Sequence, residues 1–154
     1  MSDTLTFHSL LSWRGRVGPA RPQFCKWLLS NAIPDPVVNI FRDGSLWRYR
    51  VDPAEDFADL RFNTESDIMV ENRATPMALR DGLLIIGSLP NGDRIALDVR
   101  EGVGAVGFIE HGGMWHSEDL RDNYIQVAAS VDDMARLYQQ GKLPADSCDA
   151  KYPH

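Results

Sequence analysis

Glu110, His111, His116, Glu118 and Asp119 place five potential metal ligands within a span of ten residues. Zinc sites take their ligands at short fixed spacings from rigid elements, and two histidines five apart beside Gly112-Gly113 match none of those spacings. The expectation is a set of solvated loop side chains that holds no metal. A second grouping is Asp98 with Glu110, which on neighbouring strands would imitate the paired carboxylates of a glycosidase. Two strand-end acids at the solvent edge is the plainer expectation. The glycines of Gly102-Val103-Gly104-Ala105-Val106-Gly107 lie inside a strand pattern with no helix after it, so they read as bends or close packing and not as a dinucleotide fingerprint. No Gly-x-Ser-x-Gly elbow or phosphate-cradling loop occurs. Cys25, between Phe24 and Trp27, reads as a small buried hydrophobe, and nothing in the sequence brings a histidine to it. No catalytic residue, metal or cofactor is assigned from these residues.

Met114-Trp115 lies in the same Gly-rich stretch, between Gly113 and the acids Glu118 and Asp119. One reading folds the pair back onto the core. The other makes it an exposed anchor inside an acidic rim of Glu110, Glu118 and Asp119, since Trp and Met are enriched at interface centres, where one buried aromatic can dominate binding.

The elements that must position these residues are read from periodicity. Residues 83–86, 94–99 and 103–109 are apolar runs separated by Pro90-Asn91-Gly92-Asp93 and Arg100-Glu101-Gly102, a strand meander. In the middle run Ile95, Leu97 and Val99 alternate with Arg94, Ala96 and Asp98, which predicts one buried face and one nearer solvent. Asn91-Gly92, followed by Asp93, supplies the positive φ values of a tight hairpin turn. Before the meander, Pro22 suits a first helical position and Phe24, Trp27 and Leu28 predict a short amphipathic helix to about Ser30. Asp35 is expected to cap a second helix with Pro36 behind it, Val37, Ile40 and Phe41 inward, and Gly44 at its end. An aromatic strand over 46–51 and a helix from Asp52-Pro53-Ala54-Glu55 to Phe62 follow. Residues 63–82 read as one strand, 68–70, and a connecting loop. A strand over 124–129, a Ser130-capped helix carrying Val131, Met134, Ala135 and Tyr138, and a loose tail over 145–154 complete the chain. Residues 5–13 are apolar enough to pack on the body as helix or strand.

At 154 residues with 44% hydrophobic and 25% charged content, the chain reads as one domain with a core of ordinary size and not as a disordered or membrane protein. No secretory signal is visible at the first residues, and a cytoplasmic location is expected. Two cysteines, Cys25 and Cys148, are too few for a disulfide framework. The net charge of -6 divides unevenly: seven Lys or Arg against three Asp or Glu through Arg50, then nine against nineteen. That acidic remainder weighs against nucleic-acid binding, although Arg14, Arg16, Arg21 and Lys26 offer a small basic patch.

Helices first, then a mostly antiparallel twisted sheet with helices packed on one side, define an α+β arrangement. The order of elements, with Ile33-Pro34-Asp35-Pro36 opening a helix, an aromatic strand, Asn-Gly-Asp and Ile-Ala-Leu-Asp within 87–98 and a final Ser-capped helix, resembles the SUKH superfamily over about residues 20–140. That superfamily includes the Smi/Knr family of fungal cell-wall regulators and bacterial immunity proteins. The chain has Asp43-Gly44 where the family often has paired glycines. The resemblance implies a non-enzymatic, cytoplasmic immunity protein whose partner is a protein, such as a basic nuclease toxin, and not nucleic acid or membrane. The alternative from another class is a small hydrolase or metal-dependent enzyme using Glu110, His111 and His116.

Overall fold

The computed structural model describes residues 20–43, 61–115 and 118–152. The expectations for 5–13, for Gly44, for the strand over 46–51, for the helix start at Asp52 and for His116 fall outside those residues, as do Arg14 and Arg16 of the basic patch. Helix α1, Pro22–Ser30, begins on its proline and buries Phe24, Cys25 and Leu28. Helix α2, Asp35–Arg42, buries Val37, Val38 and Phe41. Phe24 meets Phe41 edge-on at 5.2 Å, which joins the two helices. Asp35 does not cap α2: the cap position belongs to Pro34, no side chain bonds there, and Asp35 opens the first turn instead, where its charge suits the helix dipole.

Phe62 does not end a helix. It belongs with Arg61 to a two-residue strand, β1, Arg61–Phe62. The segment read as a strand and a loop is helical: α3 is Glu65–Ala74 and α4 is Pro76–Arg80. Thr64 starts α3 by accepting a hydrogen bond from the Asp67 backbone N–H at 3.2 Å, a capping pattern that outweighs the short apolar run at 68–70. Of that run only Ile68 is fully buried, while Val70 is 61% exposed, a helical and not a strand distribution.

Among the described residues five antiparallel strands lie side by side in chain order: β1, then β2, Leu83–Ser88, β3, Arg94–Asp98, β4, Val106–Ile109, and β5, Tyr124–Ala128. The meander is therefore real, and the architecture is α+β. One face of the sheet presents Leu84, Ile86, Ile95, Leu97, Val106 and Phe108 to α1, α2, α3 and helix α5, Val131–Gln139. Ser130 caps α5 through the Asp133 N–H, as its spacing predicts. The other face was expected nearer solvent and is instead closed by a second cluster, in which Leu83, Ile85, Ala96 and Ile109 meet Ala78 of α4, Met114 and Leu120. Loop and short-helix residues 76–80 and 110–123 supply this second layer, which strand periodicity cannot reveal.

The β2–β3 loop is a three-residue hairpin loop and not a two-residue turn. Leu89 N–H reaches Asp93 C=O at 2.8 Å and Gly92 N–H reaches Leu89 C=O at 3.0 Å, leaving Pro90, Asn91 and Gly92 at the tip. Only Gly92 takes a positive φ, 98°, the bulge position of such a loop. The 145–154 segment is not loose throughout: Asp146 caps a one-turn helix, α6, Ser147–Lys151, and Ser147 is buried. No helix among the described residues is long and apolar enough to cross a membrane.

Candidate functional site

Asp93 leaves the hairpin tip with no solvent exposure and becomes the acceptor for three separate segments. Its Oδ1 lies 2.7 Å from His111 Nδ1 and takes the His111 backbone N–H at 3.0 Å. Its Oδ2 takes the Ser147 backbone N–H at 2.9 Å and the Asn91 amide at 3.1 Å. Burial alone would push this carboxyl up; the donors from Ser147 and His111, side chain and backbone, outweigh it and hold the group well below the usual carboxylate range. An ionised carboxylate only accepts, so the proton between the two side chains sits on His111 Nδ1. Asp93 thus ties an imidazole, a hairpin and a terminal helix together.

Around this hub lies a cavity of about 290 Å³, lined by Asn91, Asp93, Glu110, His111, Cys148 and Lys151, with Ser147 and Tyr152 completing it. Glu110 Oε2 accepts from Lys151 Nζ at 3.1 Å. Cys25 and Cys148 are both free, the first buried and the second exposed. No group of three or more His, Cys, Asp or Glu that suits a metal ion occurs among the described residues.

The Asp98–Glu110 pairing does not form. Arg94 faces Ile109 and Leu97 faces Val106, so Asp98 stands at one end of the β3–β4 hairpin and Glu110 at the other, roughly 15 Å away along the strands. Nor is Asp98 at a solvent edge. It is buried, takes the backbone N–H groups of Arg100, Glu101 and Gly102 at 3.0 to 3.1 Å, and binds Arg121 at 2.6 Å. Burial raises this carboxyl too, and the Arg121 guanidinium with the three N–H donors lowers it further, below the ordinary range. Its work is to hold the β3–β4 loop.

The expected anchor divides in two. Met114 is a core residue, 2% exposed, because the one-turn 3-10 helix His111–Gly113 turns its side chain under the sheet; it is no surface contact. Trp115 is 64% exposed. The chain leading to it is tied down: Glu110 N–H bonds Asn123 C=O at 2.9 Å, and the Asn123 amide reaches Gly113 C=O at 3.2 Å. A side chain at Gly113 would meet Asn123 at 2.1 Å, so glycine alone permits that approach. Beyond Trp115, Arg80 bonds Glu118 C=O at 2.9 Å and Leu120 N–H bonds Asp81 at 2.8 Å. Glu118 and Asp119 are exposed, Asp119 also capping the 3-10 helix Leu120–Asn123 through the Arg121 N–H. Of the five expected contact residues, Trp115, Glu118 and Asp119 stand on the surface, and Glu110 belongs to the cavity.

Sequence reading missed Ser147, Lys151 and Tyr152 as cavity residues, and took Asp93 for a turn residue only. The signal available was Asp146-Ser147-Cys148-Asp149, a cap spacing in which Asp146 accepts from Asp149 N–H and Asp149 from Ala145 N–H. No family model, no curated protein and no solved structure matches the chain.

Proposed function

We propose that the chain is a non-enzymatic protein-binding module, and most concretely a cytoplasmic bacterial immunity protein of SUKH type that neutralises a basic toxin by covering it. The observation that carries this reading is Trp115, a large aromatic that is 64% exposed directly after the buried Met114. A large aromatic left on the surface is suited to fill a partner's pocket. Exposed Glu118 and Asp119 beside it, and the acidic balance after Arg50, favour a cationic partner over nucleic acid. The test is co-expression with the product of the adjacent gene. A toxic product whose lethality the chain suppresses, with loss of protection and of the purified complex in a folded Trp115→Ala variant, supports the reading; unchanged protection by that variant removes Trp115 from it.

A second reading, a small hydrolase, is favoured by one observation: the Asp93–His111 pair and Cys148 share a cavity, the parts of a thiol nucleophile with an oriented base. Fast stoichiometric alkylation of Cys148 by iodoacetamide at neutral pH, slowed by His111→Ala, would move the balance to the hydrolase.

A further inference from the structure

We propose that the cavity between the β2–β3 loop and α6 is a receptor for one arginine side chain of the protein partner, with Lys151 as its internal occupant until the partner arrives. This rests on the protein-binding reading and names the chemistry of the contact. Beside the Lys151 ammonium the cavity wall carries strong acceptors. In the neutral form of His111, Nε2 is a further acceptor on this wall, since Nδ1 carries the proton shared with Asp93. Glu110 is a carboxylate on the same wall, with Oε2 on Lys151. Behind both lies the buried negative charge of Asp93. A carboxylate backed by a second, buried one calls for a cation, and a guanidinium brings a planar fork of N–H groups where an ammonium is a single point.

Tyr152, 70% exposed and lining the cavity, offers an aromatic ring against which a planar guanidinium can stack. The volume of about 290 Å³ suits a single long side chain better than a folded ligand of cofactor size. The Lys151–Glu110 pair is displaceable, because both side chains are about two-fifths exposed and such pairs hold weakly. A partner's arginine replaces Lys151 on Glu110, and the released ammonium returns to water.

The experiment is a titration of the full chain, followed by amide NMR shifts, with N-acetyl-arginine amide as the probe. The isosteric but neutral N-acetyl-citrulline amide and N-acetyl-lysine amide serve as comparisons. Saturable shifts at Glu110, His111, Cys148 and Tyr152 are expected with arginine alone. Lys151→Met should tighten binding about 3-fold by removing the competing cation. Glu110→Gln should weaken it about 10-fold or more, with an unchanged thermal midpoint as the check on folding. Equal binding of citrulline or of lysine overturns the guanidinium assignment, and absence of shifts even in Lys151→Met overturns the site. Trp115→Ala should leave the arginine titration unchanged, so failure here is separate from failure of the Trp115 anchor, which is scored on toxin binding.

Discussion

Asp93 and Asp98 are both buried acids at the ends of β3, and both are satisfied by backbone N–H donors from another turn of chain. What differs is reach. Asp98 organises the loop that follows it, whereas Asp93 joins residues 18 and 54 positions away. Replacing Asp93 by Asn removes the charge and sets an amide against donors, and should lower stability by roughly 1 to 3 kcal/mol. The pH dependence has a definite sign. A carboxyl depressed on folding contributes fully above its unfolded value of about 3.9 and progressively less as pH falls toward its folded value. The stability gap between wild type and Asp93→Asn in urea melts should therefore be constant near neutrality and shrink between pH 5 and pH 2. A gap independent of pH would mean that the carboxylate charge is not what holds the hub. At the neighbouring Gly92, with φ of 98°, Gly92→Val should cost roughly 1 to 3 kcal/mol of backbone strain, read as a lower denaturation midpoint.

Among the elements, α3 shows best what periodicity can and cannot deliver. Its one deeply buried polar residue, Asn72, lies 2% exposed beside β2. The Asn72 amide donates to Ile85 C=O at 2.8 Å and its carbonyl accepts from Ile85 N–H at 3.0 Å, so the side chain stands in for a strand where the two-residue β1 ends. The same stretch of β2 carries the register shift between Ile85 and Gly87. A polar residue inward on α3 lowers the apolar contrast between its faces, so 68–70 reads as a strand, and the Thr64 cap is the sequence signal that such a reading passes over. The meander, α1, α2 and α5 were legible because each buries an apolar stripe of its own period. The second layer was not, because Ala78, Met114 and Leu120 come from short segments with no period to read. The cavity was not legible either: Asp93, Glu110 and Lys151 meet only after β3, β4 and α6 are placed. Asn72→Leu keeps the helix and the volume while leaving both Ile85 groups unpaired, and should destabilise by roughly 2 to 4 kcal/mol in urea denaturation. A loss below about 0.5 kcal/mol would show that water takes over the Ile85 edge.

At the scale of the whole molecule, the proposed protein-binding function gives charge and anchor separate tasks. From Val51 onward nineteen acids face nine bases, a field that draws a cationic surface from a distance but is screened beyond about 10 Å at 0.1 M salt. In that proposal Trp115 acts only in contact. For a basic toxin as partner, raising salt from 50 to 500 mM should slow association roughly 10-fold and leave dissociation nearly unchanged, as steering by diffuse charge requires. Trp115→Ala should do the reverse, speeding dissociation roughly 30-fold with little change in association, as loss of a desolvated central aromatic requires. Met114→Ala provides the contrast that separates contact from scaffold. Its side chain touches the core and not the surface, so it should lower stability by roughly 2 to 4 kcal/mol, and weaken binding only as far as the loop that carries Trp115 loosens. Surface-binding kinetics over the salt series and both variants resolve the two tasks. Salt-independent association would remove the electrostatic half of the scheme, and unaltered dissociation in folded Trp115→Ala would remove the anchor.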